Sequence, residues 1–417
     1  MQNLQVIKGN FIFTKNKDSF EVYENSFIVL QDKKVVGIYK ELPSQYSNSN
    51  LTDYGNAIII PSFVDLHVHA PQYLQVGIGL NLELVDWLQK YTYKNEMKFA
   101  DTQYAKKIYS LFAKDLYESG TLRSCIFGTI HNQSNKILVN EIIKRNLSAF
   151  VGKVNMNQNA PKELIQTTKE SYEETIEFIE STQTDLVKPI ITPRFAPSCS
   201  SALLKKLGAL SVEKNIPVQT HLSENKKEVS WVKDLFPNAK NYSDVYLQNQ
   251  LYGSQKTLMA HGIYLEEEEI QMAQNKNIYL VHCPDSNLNL ASGIMPVTNY
   301  LDRGINVGLG SDVGAGHIIS MTNTIKTAIQ SSKIRYIFNN DERILKESEA
   351  FYMATKLNGS FFAKTGSFES GYLFDALVIN DKLEMVQELS PIERLERFIY
   401  CGTKNDIVAR YFEGSII

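Results

Sequence analysis

Seven consecutive residues, Phe63-Val-Asp-Leu-His-Val-His69, constrain this chain more than any others. Val64, Leu66 and Val68 alternate with Asp65, His67 and His69, the period-two signature of a strand. Successive strand side chains point to opposite faces, so both imidazoles emerge on one side and can reach a single metal ion. The apolar run Ala57-Ile-Ile-Ile60 leads in, and Ala70-Pro-Gln-Tyr73 breaks out into a loop. A buried strand ending on two neighbouring histidines is expected to supply half of a metal site.

The same kind of apolar run recurs. Strands are predicted at 63–69, 121–130, 149–156, 189–194, 217–221, 257–261, 278–282 and 306–311. Helical patterns separate most of them, as at 201–214, where Leu203, Leu204, Leu207 and Leu210 share a face, and at 265–274. Eight βα units over about 300 residues predict an α/β fold of the (β/α)8 TIM-like barrel type. Outside that region the pattern is β-like. Segments 4–13, 19–22 and 26–40 are broken at Gly9-Asn10, Asn16-Lys-Asp18 and Gln31-Asp-Lys-Lys34, and β character resumes at 366–371 and 374–380. Residues 1–58 and 366–417 are therefore expected to form one small β-sandwich side domain beside a barrel of residues 59–365.

Active sites of such barrels lie at the carboxyl ends of the strands. The chain has seven histidines, and five of them close four of the eight predicted strands: His67 and His69, His221, His261 and His282. Strand four ends in Arg194-Phe195 and strand eight in Ser311-Asp312. Asp312 is read as a carboxylate ligand or as a base on the attacking water. His282 either lines the site or ties down loops through Asp285-Ser-Asn287. His131, just past strand two, reads as structural, and His317 as a residue bordering the pocket. Three imidazoles and a carboxylate suit one divalent ion, Zn2+ first, with Fe2+ or Mn2+ also compatible. Such an ion lowers the pKa of water toward 7. Glu224, three residues after His221, is close enough to act as proton carrier.

Composition removes other classes. Forty-three basic against 46 acidic residues leave a net charge of −3, no footprint for nucleic acid or an anionic membrane. Four scattered cysteines without a Cys-x-x-Cys pair, no leader-like start and no long apolar segment predict a soluble cytoplasmic protein. Gly308-x-Gly310 with Gly314 misses dinucleotide-binding spacing. The run Glu266 to Glu269 reads as the exposed acidic first turn of a helix. The Pro-Cys-x-x-Cys element of nucleic-acid-editing zinc deaminases is absent.

At these residues the chain resembles the metal-dependent amidohydrolase superfamily and, within it, the guanine deaminases. His-x-His after strand one, the histidines ending strands five and six and the aspartate ending strand eight are general to the superfamily. Ala70-Pro-Gln-Tyr73, Pro193-Arg-Phe-Ala-Pro-Ser198, His221-Leu-Ser-Glu224, His282-Cys-Pro-x-Ser-Asn287, Gly310-Ser-Asp312 and the tail Gly366-Ser-Phe-Glu369 carry the narrower likeness over nearly the whole chain.

The resemblance implies a metal bound by His67, His69, His221 and Asp312, with His261 holding the attacking water or approaching the metal. It implies that Glu224 moves the proton to N3 while Asp312 orients the nucleophile, so that attack at C2 converts guanine to xanthine and ammonia. Gln72, Arg194 and Phe195 would bind the purine, next to His221 and Glu224. It further implies a homodimer. Two departures stand out: Ala315-Gly-His317 where an aromatic is expected, and Arg123 and Cys125 in strand two. Three rivals remain: a deaminase of another purine, pterin or nucleoside; a dinuclear amide hydrolase, for which strand four offers only Lys188; and a barrel that has lost its chemistry.

Overall fold

The computed structural model describes residues 4–339, 342–381 and 388–417; residues 1–3 and residues 382–387 of the expected side domain lie outside the described residues. The N-terminal pattern forms β1 (Leu4–Thr14), β2 (Phe20–Gln31), β3 (Lys34–Tyr39) and β4 (Asn50–Pro61). Gly9-Asn10 does not break β1 as the pattern suggested; the register shifts there as a bulge. The Asn10 side chain fills the gap, Nδ2 donating to the Asn56 carbonyl at 3.0 Å and Oδ1 accepting from Asn25 N at 2.9 Å. Asn25 adopts φ 41° in the same irregularity, and the segments expected separately on either side of it run on as β2.

The chain passes from β4 almost directly into the barrel. Its strands are β5 (Phe63–His69), β6 (Thr121–Phe127), β7 (Ser148–Gly152), β8 (Val154–Asn155), β9 (Val187–Pro189), β10 (Thr192–Pro193), β11 (Val218–Leu222), β12 (Thr257–His261), β13 (Ile278–His282) and β14 (Asn306–Leu309). Two parallel sheets, β5-β6-β7-β9 and β11-β12-β13-β14, are joined by the β8–β10 pair and an Ile191–Val218 bridge. Asp312 N donates to His67 O and His69 N to Val313 O, both at 2.8 Å, which closes the seam between β14 and β5. The result is a (β/α)8 barrel.

Strand ends differ from the sequence reading for identifiable reasons. The strand expected at 121–130 stops at Phe127, because the Asn135 side chain takes over the backbone of Thr129, accepting its N–H and donating to its C=O at 2.8 Å each. The strand expected at 189–194 divides into β9 and β10, where Pro189 and Pro193 have no N–H to give a ladder. The helix Ser201–Lys214 follows its apolar period, with Ser200 Oγ accepting from Leu203 N and Asn215 ending it in the left-handed region. In the helix Glu267–Ala273, Glu269 is buried and not exposed as expected, because its carboxylate accepts from Ser243 N at 2.8 Å and Glu266 N at 2.9 Å.

The tail returns as β15 (Ala376–Ile379), β16 (Ile407–Phe412) and β17 (Ser415–Ile416), with the helix Pro391–Cys401 between β15 and β16. The expected sandwich is hydrogen-bonded as one seven-stranded sheet, ordered β17-β16-β15-β4-β1-β2-β3, and β4 stays in it beyond position 58, through Pro61. Ile12, Ile58, Ile60 and Leu377 share the apolar cluster of the barrel, while Phe11, Phe13, Ile59 and Val378 pack with Phe368 and Phe374. Arg123 explains itself here. It crosses from β6 to the sheet, Nε donating to Asp375 Oδ2 at 2.7 Å and Nη2 to Glu413 Oε1 at 3.2 Å. Among the described residues, no helix is long and apolar enough to cross a membrane.

Candidate active site

The barrel mouth gathers residues that the chain keeps far apart. His67 and His69 leave the end of β5, and their Nε2 atoms lie 3.2 Å apart; His69 Nε2 is also 3.2 Å from His221 Nε2, at the end of β11. Asp312 Oδ1 closes the group at 3.2 Å from His67 Nε2 and 3.4 Å from His69 Nε2. Close approach of β14 to β5 requires glycine. A Cβ on Gly310 would stand 2.7 Å from the Cβ of His67. Asp65, behind His67, binds the two strands together by accepting from Ser311 Oγ at 2.5 Å and Ser311 N at 3.0 Å. His261 and Asp312 both sit in the left-handed region, at φ 74° and 48°, a local strain concentrated at the site.

These groups fit a divalent cation. His221 Nδ1 donates to the Arg194 carbonyl at 2.6 Å, so its Nε2 carries the lone pair that faces the cluster. Asn287 Oδ1 holds His261 Nδ1 at 2.9 Å, leaving His261 Nε2 buried without a hydrogen-bond partner. Burial and neighbouring imidazoles hold His69 and His221 well below the usual histidine pKa, in the neutral form that ligates metals. Burial acts to raise Asp312, but His67, His261 and His69 overcome it and hold the carboxyl well below its ordinary range. Lone pairs and a carboxylate that converge in this way are a donor set that could hold a divalent ion. Cys283 lies within the same reach of His67, His261 and Asp312. Burial pushes its thiol well above the ordinary cysteine range.

Glu224 stands beside this cluster. Ser292 Oγ donates to its Oε1 at 3.1 Å, and its Oε2 lies 3.3 Å from His261 Nε2. Burial and the Asp312 charge push its carboxyl up to about 8, toward the protonated form; a cation on the histidines acts in the opposite sense.

A cavity of about 400 Å³ opens over the cluster. His69, His221, Glu224, His261 and Asp312 form its floor, with Gln72, Arg194 and Phe195 also lining it. Phe195 packs edge-on against Trp231, ring centroids 6.1 Å apart. Sequence reading missed Leu84, Trp87 and Leu88, which wall the cavity from the segment between β5 and β6, and Ser286 and Leu290; Ala315, noted as a departure in the last loop, lines it too. It also missed Phe127, whose ring packs 4.6–4.9 Å from those of His67, His69 and His221 and forms an apolar backing to the site. The only local hint of the wall was a tryptophan in an apolar stretch of a chain that has two.

The remaining residues singled out in the sequence fall as follows. His317 does not line the cavity; its side chain is 46% exposed and 3.7 Å from Asp285, because Ala315 takes the wall position. His282 is fully buried and does not line the cavity, and His131 precedes the helix Asn132–Ile143. Lys188 is exposed on β9, away from the cluster, which removes the bridging lysine that a dinuclear hydrolase would need.

Comparison with known proteins agrees with this geometry. A family profile described as "Amidohydrolase family" matches residues 58–416. A guanine deaminase of Dictyostelium discoideum is 34% identical, over 99% of this chain and 98% of its own length. One from Rattus norvegicus is 39% identical, over 85% of this chain and 82% of its own. Among solved structures, a guanine deaminase from C. acetobutylicum with guanine bound in its active site superposes with a TM-score of 0.97 at 48% identity, covering all of both chains.

Proposed function

The chain belongs to the amidohydrolase family, and from that premise we propose that it is a guanine deaminase, hydrolysing guanine to xanthine and ammonia. The observation that carries this reading is one cavity in which an imidazole–carboxylate cluster and Glu224 face the polar side chains of Arg194 and Gln72. A single divalent ion, Zn2+ by ligand chemistry, would be held by His67, His69, His221 and Asp312 and would supply the Lewis acidity that makes hydroxide available near neutral pH.

The remaining steps belong to side chains. Trp87 and Phe195, which line the cavity, exclude water around the ring and leave Arg194 and Gln72 to orient its polar edge. Arg194 donates to O6 of the purine. Glu224 takes a proton from the attacking water and delivers it to N3, which makes C2 electrophilic as the water oxygen bonds to it. His261 and Asp312 orient that oxygen. Glu224, ionised again, takes the remaining proton from the new C2 hydroxyl and passes it to the exocyclic nitrogen; the C2–N bond breaks, the C2 carbonyl forms, and ammonia leaves. Ser292 holds the carboxylate in one orientation through both transfers. The same proposal carries a homodimer and a cytoplasmic setting; sedimentation of the purified protein tests the first and fractionation the second.

Incubating purified protein with guanine should release ammonia and xanthine in equal amounts, and absence of both from metal-replete protein would overturn the assignment. Recognition of O6 has its own consequence. A site built to hydrogen-bond a polar group rejects analogues that lack it, since its buried donors are left unpaired. The enzyme should therefore strongly prefer guanine over 2-aminopurine, and Arg194→Ala should erase most of that preference in kcat/KM. An unchanged preference would assign the contact to another residue.

A further inference from the structure

We infer that Glu96 is a positioning residue that sets the hydrogen-bonding polarity of the substrate edge, making Arg194 the donor to a ring carbonyl and Gln72 the acceptor from the ring N–H beside it. The inference rests on the reading of Arg194 and Gln72 as purine contacts. Nothing in the local sequence marks this glutamate, one of 46 acidic residues.

Glu96 closes the short helix Tyr93–Glu96 and is only 4% exposed. Its two carboxylate oxygens divide their work. Oε2 accepts from Arg194 Nη1 at 2.5 Å, and Oε1 accepts from Gln72 Nε2 at 3.0 Å. All three side chains are nearly inaccessible, so neither bond is a screened surface contact. The Tyr93 ring lies 5.5 Å from the guanidinium carbon of Arg194 and adds a cation–π contact. Gln75 clamps the segment from below, donating to Thr92 Oγ1 at 2.8 Å and accepting from Asn95 Nδ2 at 3.1 Å.

Two consequences follow from the chemistry of these groups. A carboxylate can only accept, so it draws the Gln72 NH2 toward itself and turns the Gln72 Oε1 elsewhere, as an acceptor for the cavity it lines. Arg194 has donors only, and with Nη1 committed to Glu96 the rest of its fork is available to a carbonyl. A fixed donor beside a fixed acceptor matches a lactam, C=O next to N–H, and mismatches an amidine edge. The charges also cancel. Arg194 is neutralised by Glu96, so this edge of the pocket presents no unpaired guanidinium to a phosphate and suits a neutral nucleobase.

The test compares kcat/KM for guanine and for 2-aminopurine, which lacks the carbonyl and the adjacent N–H. In Glu96→Gln the anion is lost, and the new amide allows Gln72 to flip. Guanine efficiency should fall roughly 10–100-fold, the range for a hydrogen bond to a charged group, chiefly through KM. Efficiency with 2-aminopurine should change little, and Glu96→Asp, which keeps the charge, should recover part of the preference. Equal losses on both substrates would mean a merely structural role and overturn the inference, as would an unchanged ratio. Arg194→Met run in parallel separates the two readings. If it erases the preference while Glu96→Gln does not, the inference about Glu96 fails alone; if it leaves the preference intact, the substrate reading fails and takes the inference with it. Should Glu96→Gln not fold, Gln72→Met, which removes one arm of the network, must still narrow the preference; an unchanged ratio there overturns it.

Discussion

Glu224→Gln should yield a folded protein that retains its metal and still binds guanine, yet turns it over at least about a hundredfold more slowly, in the 10²–10⁴ range of general acid–base catalysis. The amide keeps the shape of the side chain and can still accept from Ser292 Oγ, which lies 3.1 Å from Oε1 in the parent. What it cannot do is cycle a proton. The effect should appear in kcat and kcat/KM together, since the lost interaction belongs to the transition state. Metal analysis of the variant sharpens the result. Glu224 faces His261 at 3.3 Å and is absent from the groups of side chains close enough to share an ion, so its removal should leave metal content unchanged. Loss of metal would transfer Glu224 to the ligands. Near-normal turnover with full metal would move the proton shuttle elsewhere, with His261 the first residue to examine.

His67→Ala should bring the largest loss. His67 Nε2 is within 3.2 Å of both His69 Nε2 and Asp312 Oδ1, so one substitution opens the cluster on two sides. It also removes the main imidazole partner of a buried carboxylate, and an unpaired buried charge is costly. The variant should bind markedly less metal and lose roughly a thousandfold or more in rate, the equivalent of several kcal/mol of Lewis-acid assistance. A ligand that binds only the folded state also stabilises by mass action. A strong chelator should therefore lower the melting temperature of the parent protein and have little effect on His67→Ala. Undiminished metal in the variant would count against the ligand assignment.

How much of this was legible beforehand depends on the range over which each signal acts. Phe63–His69, Thr257–His261 and Ile278–His282 appear as strands with the predicted bounds, because the alternation of the first and the short apolar runs of the other two are properties of neighbouring residues. Boundaries failed where a distant or looping side chain intervened. Asn135 ended β6 early, and Asn10 with Asn25 converted an expected break into a bulge. Both are tertiary substitutions for backbone hydrogen bonds, and neither has a periodic signature. The acidic run at 266–269 was correctly read as a helix start, but the burial of Glu269 depended on Ser243, 26 residues away.

By itself, the sequence determined which chemistry the barrel mouth would hold. Histidines and an aspartate at strand ends must converge once eight parallel strands close, since closure brings every carboxyl end to one rim. It did not determine what surrounds that chemistry. Glu96 meets Arg194 across 98 residues, Ser292 meets Glu224 across 68, and Trp87 and Phe127 become cavity and site walls only when their segments fold over the rim. A buried carboxylate between an arginine and a glutamine is, in one dimension, an ordinary glutamate at a helix end. Only the tertiary structure excludes water from it, and in that low-dielectric setting its two hydrogen bonds become strong enough to orient a binding site.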